Sequence, residues 1–277
     1  MIRPIRAILM RNLIKFSRDR MRLIFTLFMS GIFLFIFSFV TRSTAAGLDH
    51  PMNYLISGII IMTVFQTALN NSMNILEDIT SGFMKEILVA PIARWQIATG
   101  QVLSSTTIAV LQGCIIIIIG LFMGLKIDLL HGVLMAGLMC LVGLTFSSLG
   151  LFLAAVTKES TNFQLLIMLV SFPLIFLSGA YIPTTMLPAI VKPIVFLNPL
   201  TYATSSFRFL ALHMDTLPRA ALIKAGVAFS IHGVTVMPQM GAALMLCLGA
   251  VFFALCVNNF GKADFSRVKV FKRGHHR

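Results

Sequence analysis

Amide and hydroxyl side chains recur at helical spacing inside one strongly apolar stretch of the sequence. Thr63, Thr67, Asn70 and Asn74 follow one another at intervals of three or four residues, so they share one face of a helix, with Gln66 close by. Such neutral groups act by donating and accepting hydrogen bonds. Two interpretations are open: the stripe lines a transport path, or it bonds neighbouring helices to one another.

Residue patterns typical of catalysis, metal binding or nucleotide hydrolysis are missing from the sequence. The six histidines include no HxxxH pair, and the four cysteines lie in apolar runs without a CxxC. No GxSxG, GxGD or GxxxxGK[ST] sequence occurs. We therefore predict no catalytic residue and no metal site, and we expect that this chain does not hydrolyse ATP by itself.

The composition excludes an ordinary soluble domain. Of 277 residues, 58% are hydrophobic and only 11% are charged, against about 25% charged in soluble domains. The net charge is +13, but the bases stand between apolar runs and do not form one basic face. This arrangement favours a lipid bilayer as the partner and argues against nucleic acid.

Six apolar runs have the length that crosses a bilayer, about 20 residues each. The first run is long enough to span and lacks a small-residue cleavage site, so we expect it to stay in the mature protein. The predicted spans are Leu23–Val40, Tyr54–Leu76, Val102–Leu125, Gly132–Val156, Asn162–Tyr181 and Met240–Asn259.

The distribution of bases predicts the orientation of the chain. Seven bases precede the first span and six follow the last. Because Lys and Arg concentrate in cytoplasmic segments, both termini are predicted to be cytoplasmic, with the chain in the cytoplasmic membrane. All 31 charged residues lie outside the six predicted spans. Ion-driven transporters usually keep a charged residue inside a span, so any transport by this chain would draw its energy from another polypeptide.

The N-terminal segment, residues 1–22, is predicted to be an amphipathic helix. Such a helix lies in the membrane interface, or it simply anchors the topology before the first span. Its apolar face holds Ile2, Ile5, Leu9, Leu13 and Phe16, and its basic face holds Arg3, Arg11, Lys15, Arg18 and Arg22.

Two further segments between spans have unusual sequences. In the cytoplasmic loop 77–101, a short helix is predicted over Phe83–Val89, followed by a break at Pro91. Such a helix would either dock on a soluble partner or pack on lipid headgroups. In the outer segment 182–239, the apolar first part (182–213) contains four prolines. Prolines at such spacing interrupt a helix, which predicts two short helices that enter the outer leaflet and turn back.

These segments resemble type-2 permeases of ATP-binding-cassette exporters. The loop sequence at 85–95, KEILVAPIARW, is similar to the family's E-x-L-L-V-[AS]-P-[IV] stretch. The sequence LSGAYIP at 177–183, followed by LP at 187–188, NPLTY at 198–202 and Arg208, resembles its outer signature. The resemblance extends over nearly the whole chain.

The resemblance implies an all-α membrane protein with a connecting helix over residues 1–22 and a six-span domain over residues 23–277. That domain would include a coupling helix in the loop 77–101, outer re-entrant helices in 182–213 and a basic tail at 260–277. Two permease copies would pair with a cytoplasmic ATPase dimer, which would bind ATP and Mg²⁺, so this chain needs no cofactor. The residues assigned to coupling are Phe83, Lys85, Glu86, Ile87, Leu88, Pro91 and Arg94. Those assigned to the transport path are Thr63, Gln66, Thr67, Asn70, Asn74, Ser171 and Ser178. Those of the outer motif are Gly179, Pro183, Pro188, Asn198, Pro199, Tyr202 and Arg208.

One departure from the family pattern bears on the substrate. The polysaccharide branch carries an FPREILP-like stretch where this chain has GFMKEIL at 82–88. The match is closer to the drug, antibiotic and lipo-oligosaccharide branches, which predicts export of an amphiphilic or lipid-like compound. A membrane anchor for an ATPase is the alternative hypothesis, and a secondary transporter is a weaker one.

Overall fold

The computed structural model describes residues 2–44, 51–89, 91–157, 159–181, 184, 187–231 and 234–262, and within them the chain is almost entirely helical. Apolar helices suit a chain in lipid because every backbone N–H and C=O is bonded within its own segment. The first eight helices are α1 (Arg3–Arg18), α2 (Arg20–Thr44), α3 (Pro51–Asn70), α4 (Met73–Thr80), α5 (Phe83–Val89), α6 (Arg94–Phe122), α7 (Leu129–Thr157) and α8 (Ser160–Leu177).

The remaining elements follow α8. Short 3₁₀ turns occur at Ala189–Val191 and Met214–Thr216. The helices and strands are α9 (Lys192–Leu197), α10 (Pro199–Ala211), α11 (Arg219–Lys224), β1 (Phe229–Ile231), β2 (Val234–Val236) and α12 (Pro238–Lys262).

Five helices among the described residues are long and apolar enough to cross a membrane. They comprise α3 with α4, α6, α7, α8 and α12. The described apolar part of α2 is shorter, Leu23–Ile36. The predicted all-α membrane fold is confirmed, whereas the six-span count stays a prediction. The basic tail beyond residue 262 lies outside the described residues.

The core of the bundle surrounds α3. This helix packs against α2, α6, α7 and α10, and α12 packs on the other side of α7. Phe65 of α3 and Phe146 of α7 meet edge to face, with ring centroids 4.6 Å apart. Such packing fits the sequence, because α3 contains no charged residue and is buried along most of its length.

The second predicted span continues further than its apolar run suggested. After a short turn at Asn71–Ser72, α4 extends to Thr80, so Glu77 and Asp78 stand on a helix rather than in a loop. The chain thus reaches from Tyr54, beside α10, to Asp78, beside α1. These two ends of the bundle are called the α10 end and the α1 end below.

The segment before α12 differs in part from its prediction. Two short helices, α9 and α10, do occupy its first part, with Pro193 and Pro199 in their first turns, where no N–H is required. Its second part, for which no element was predicted, contains α11 and a two-stranded antiparallel sheet in which Phe229 faces Val236 and Ile231 faces Val234.

Candidate functional site

A groove of about 590 Å³ runs along α3 between α2 and α8. Its α3 side carries Thr63, Gln66, Thr67 and Asn70, and Ser171 of α8 faces them. The structure therefore brings together five of the seven residues assigned to the transport path.

The walls of this groove are mainly apolar and aromatic. Phe25 of α2 and Met168, Phe172 and Phe176 of α8 line it, and all four are largely exposed. At the α10 end, the rings of Phe33 and Tyr181 stack with centroids 5.3 Å apart. The groove thus combines a polar strip with an extended apolar surface.

A second cavity of about 550 Å³ adjoins the groove toward the α1 end. Asn74, the sixth predicted residue, lines it together with Asp19 and Glu77. Asn70 and Gln164 line both cavities, so polar groups continue from the α1 end into the bundle.

Most polar groups in the groove are bonded to protein atoms, but two are not. Thr67 donates to Gln112 of α6 in a very short bond, and Thr63 donates to the Ile59 carbonyl at 2.9 Å. Among the described residues, Gln66 Oε1 and Ser171 Oγ are buried without a hydrogen-bond partner. Buried polar atoms normally have a partner, so these two side chains hold unused hydrogen-bonding capacity in the wall of the groove.

Ser178 is not brought to the groove. Its hydroxyl donates to the Ile175 carbonyl at 2.7 Å and accepts from the Ala180 N–H at 3.2 Å, so it closes the last turn of α8. Conversely, Thr26 and Ser30 of α2 line the groove and were missed. Their spacing of four residues within an apolar run was the available signal.

Away from the groove, several hydroxyl groups bond neighbouring helices to one another, which was the second interpretation of the polar residues. Thr106 of α6 and Ser147 of α7 lie within hydrogen-bond distance, 3.1 Å, and Thr145 reaches the Met245 carbonyl of α12 at 3.3 Å. These groups fix the packing of α6, α7 and α12.

The predicted loop helix is present with the predicted bounds, as α5. Met84 is buried and Ile87 packs against the core, whereas Glu86 and Val89 are exposed on the opposite face. Phe83, at the start of α5, is half exposed. Pro91 and Arg94 are also exposed, and the side chains of Lys85 and Leu88 lie outside the described parts.

Basic residues of α1 pair with the acids of α4. The Arg11 guanidinium donates to both carboxylate oxygens of Asp78 at 2.6 Å and lies 4.6 Å from the centroid of the Phe83 ring. The Lys15 ammonium lies 2.5 Å from the Glu77 carboxylate. Two bases expected to face lipid headgroups therefore face protein.

The buried face of α1 contacts α6. Asn12 is 1% exposed and donates to Gln101 at 2.7 Å and to Ser104 at 2.8 Å. Ile8 packs against Gly100, where an added Cβ would lie 3.0 Å from the Ile8 Cβ. The buried residues of α1 are thus Ile8, Asn12 and Phe16. Phe16 belongs to the predicted apolar face, whereas Ile5, Leu9 and Leu13 of that face are only partly buried.

At the α10 end, the outer motif satisfies the last carbonyls of α8, which have no partner within their own helix. The Asn198 amide donates to the Leu174 carbonyl at 2.8 Å, and its oxygen caps α10 by accepting from the Leu200 N–H at 2.9 Å. Thr201 reaches the Leu177 carbonyl at 3.3 Å. Tyr202 donates to the Phe196 carbonyl at 2.7 Å, so the turn between α9 and α10 is also fixed.

Arg208 lies inside the protein, although it was predicted as an outer-loop base. It is 1% exposed and donates to the carbonyls of Gly179 at 3.2 Å and Ala180 at 3.1 Å. Its guanidinium carbon is 3.3 Å from the centroid of the Tyr54 ring. Arg208 therefore joins α10 to the ends of α3 and α8.

Two glycines make this junction possible. Gly179 has φ +78°, which favours glycine. At Gly58 of α3, an added Cβ would lie only 2.3 Å from the Ala180 carbonyl oxygen. Of the other predicted motif residues, Pro188 is exposed and precedes a 3₁₀ turn, Pro199 begins α10, and Pro183 lies outside the described residues.

Comparisons with known proteins agree with this architecture. The profile of the family described as ABC-2 type transporter matches residues 3–212, from the start of α1 to the end of α10. The putative transport permease ycf38 of Cyanophora paradoxa is 27% identical over 188 residues, 66% of this chain and 64% of that protein.

Two bacterial relatives are also similar. The inner membrane transport permease YadH of Escherichia coli K12 is 26% identical over 188 residues, 65% of this chain and 70% of YadH. The probable multidrug ABC transporter permease YbhR of the same strain is 23% identical over 158 residues, 57% of this chain and 43% of YbhR. The matched region is thus less than two thirds of the Cyanophora protein and less than half of YbhR. Because the family profile covers most of the chain, this protein belongs to the ABC-2 type transporter family.

Proposed function

We propose that this chain is the permease subunit of an exporter whose ATP hydrolysis takes place in separate ATPase subunits. The groove between α2, α3 and α8 carries the proposal, because it places unpartnered polar atoms beside an apolar surface at membrane depth. Membership of the transporter family supports it.

The chemistry of the groove favours an amphiphilic substrate. Phe25, Phe172 and Phe176 would cover the apolar part of such a molecule. Gln66 Oε1 and Ser171 Oγ would bond its polar group, a contact worth more in lipid than in water because water does not compete. A neutral or hydrogen-bonding head group on a drug-like or lipid-like body fits these walls.

A second copy of the chain would complete the path. The exposed aromatic residues along α2 and α8 form a continuous apolar border beside the groove. Large exposed apolar patches with polar residues between them are typical of interaction surfaces. Two copies facing each other across this border would enclose the substrate and shield Gln66 and Ser171 from lipid.

The α1 end suits contact with a cytoplasmic ATPase dimer. The outward face of α5 presents Glu86 between the apolar side chains of Phe83 and Val89. Ile87, by contrast, packs inward, so its role would be to pass movement of α5 to the bundle. ATP and Mg²⁺ would bind to the ATPase subunits, and both termini of this chain would lie on the same side as those subunits.

Reconstitution tests the transport step. The full-length chain and its co-purified ATPase would be placed in liposomes, and ATPase activity would be measured with and without a panel of amphiphiles. We expect the double variant Gln66→Leu, Ser171→Ala to have about tenfold lower substrate-stimulated ATPase activity. A loss of about 1.4 kcal/mol of binding free energy corresponds to a tenfold change. The control is Thr107→Val, whose hydroxyl bonds only within α6. If stimulation is unchanged in the double variant, the groove is not part of the transport path. If no amphiphile stimulates the ATPase activity, the anchor hypothesis is favoured.

A second experiment tests coupling. Glu86→Ala with Val89→Ala removes exposed side chains of α5 without touching the core, so the variant should fold normally. We expect weaker co-purification of the ATPase and a loss of coupled transport. Arg219→Ala, at the exposed start of α11, is the matched control. Normal coupling in the α5 variant would show that the ATPase docks elsewhere.

A further inference from the structure

Two histidines and two aspartates meet at the α10 end, outside the groove. The Asp128 carboxylate lies 2.6 Å from Nδ1 of His131 and 2.9 Å from Nε2 of His213. The Asp215 carboxylate lies 2.7 Å from the other nitrogen of His131. The two imidazole rings are 4.1 Å apart between centroids.

This cluster is assembled from two separate parts of the chain, residues 128–131 and residues 213–215. Asp128 and His131 stand at the start of α7, one helical turn apart, and His213 follows the end of α10. His213 has φ +51°, a left-handed conformation that is uncommon for a residue other than glycine. In this conformation the His213 imidazole reaches Asp128.

We infer that Asp128, His131 and His213 form a binding site for a divalent transition-metal ion, Zn²⁺ above all, with Asp215 as the residue that orients His131. One ligand atom from each of the three residues lies within 4.8 Å of the others. The arrangement leaves a fourth position for water, as in zinc sites with three protein ligands.

The ligand types favour Zn²⁺ over Mg²⁺ or Ca²⁺. Imidazole nitrogen suits zinc, copper and nickel, whereas magnesium and calcium prefer oxygen alone. Around tetrahedral zinc, ligand atoms about 2.0 Å from the metal stand about 3.3 Å apart. The two contacts of Asp128, at 2.6 and 2.9 Å, would each widen by less than about 1 Å. The proton on each ligating nitrogen would leave to solvent.

Asp215 occupies the position that a carboxylate usually takes beside a metal-bound histidine. Histidines that bind metal usually donate their second ring N–H to a carboxylate, which fixes the tautomer and the ring orientation. His131 has this arrangement, with Nδ1 toward Asp128 and Nε2 toward Asp215.

Calorimetric titration of the full-length chain with ZnCl₂ tests this site. The chain would carry a tag without histidine, would be purified in detergent micelles, and would contain His275→Ala and His276→Ala, because adjacent tail histidines can also bind zinc. We expect one Zn²⁺ per chain. His213→Gln keeps a hydrogen-bond donor near Asp128 but is a poor zinc ligand, so it should weaken binding about 100-fold, and Asp215→Asn should weaken it about 10- to 100-fold.

Co²⁺ gives an independent signal of the coordination. Its visible absorption is strong in a four-coordinate site, and we expect that band in the parent chain and its loss in His213→Gln. Elution as a single species and unchanged thermal unfolding without metal would establish that the variant is folded. The inference is overturned if no Zn²⁺ binds to the parent chain, or if His213→Gln binds Zn²⁺ as tightly as the parent does.

Discussion

The two ends of the bundle hold their helices together with charged residues in opposite ways. At the α1 end, Lys15 and Glu77 form an ion pair with side chains 47% and 50% exposed. At the α10 end, Arg208 is 1% exposed, and its hydrogen bonds within the described residues go to backbone carbonyls. A solvated pair of opposite charge therefore contributes to holding α1 against α4, whereas a single buried cation joins α10 to α3 and α8.

This difference sets how easily each end can rearrange. When the Lys15–Glu77 contact breaks, water solvates both groups, so little free energy is lost. When Arg208 leaves its carbonyls, both the guanidinium and the carbonyls lose their partners in a buried place, which is far more costly. The α10 end is therefore the fixed end of the bundle, and the α1 end is the adjustable one.

The largest effect should come from Arg208→Met. The substitution keeps an unbranched side chain but leaves the carbonyls of Gly179 and Ala180 without their donor, at about 1–3 kcal/mol each. We expect the free energy of unfolding, from denaturant titration in detergent micelles, to fall by roughly 3 kcal/mol or more. Arg219→Met, at an exposed position, should change it by less than about 0.5 kcal/mol. Equal effects of the two variants would contradict the assignment of the α10 end as fixed.

Gly58→Ala should have the next largest effect, because it pushes α3 away from the residues that Arg208 holds. The added Cβ would lie 2.3 Å from the Ala180 oxygen, and such overpacking costs about 1–3 kcal/mol. Gly137→Ala in α7 meets no atom within 4 Å and should be neutral or stabilising by up to about 1 kcal/mol. The same titration measures both. If Gly58→Ala left the free energy of unfolding unchanged, the α10 end could shift without loss of stability.

The Arg11–Asp78 pair tests the intermediate case, since Asp78 is 8% exposed and Arg11 is 31% exposed. A double-mutant cycle with Arg11→Met and Asp78→Asn should give a coupling free energy of about 1 kcal/mol. Coupling as large as the Arg208→Met effect would erase the distinction between the two ends.

The smallest effect belongs to the exposed Lys15–Glu77 pair. A cycle with Lys15→Met and Glu77→Gln should give about 0.5 kcal/mol or less. Because salt screens exposed charges, the coupling should vanish in high salt, whereas the Arg11–Asp78 coupling should persist in part. Coupling that does not respond to salt would show that this pair is shielded from water.

Features set by nearby residues were predictable from the sequence. Gly82 and Pro91 bracket α5, and its bounds agree with the prediction, because turn and helix-breaking residues act locally. The stripe from Thr63 to Asn70 was visible because a single helix carries it. The all-α membrane fold followed from the scarcity of charged residues in long apolar runs.

Features that depend on distant residues were not predictable. The bases of α1 were assigned to headgroups because nothing local shows that Asp78, 67 residues from Arg11, lies opposite. Arg208 was placed in the outer motif without a partner because the packing of α10 against α3 cannot be deduced from its own sequence. His131 and His213 come together only through the tertiary fold, so their spacing in the sequence gave no signal.

The contacts of Arg11 have a mechanical consequence. Arg11 joins α1 to α5 through Phe83, Asn12 joins α1 to α6 through Gln101, and the chain itself joins α5 to α6. Because Arg11 and Asn12 are neighbours, α1 connects α5 and α6 at nearly one point, in addition to the chain between them. A push on α5 therefore reaches α6 by two routes, through the chain and through α1. Loosening the short link between α5 and α6 would weaken this transmission without abolishing it.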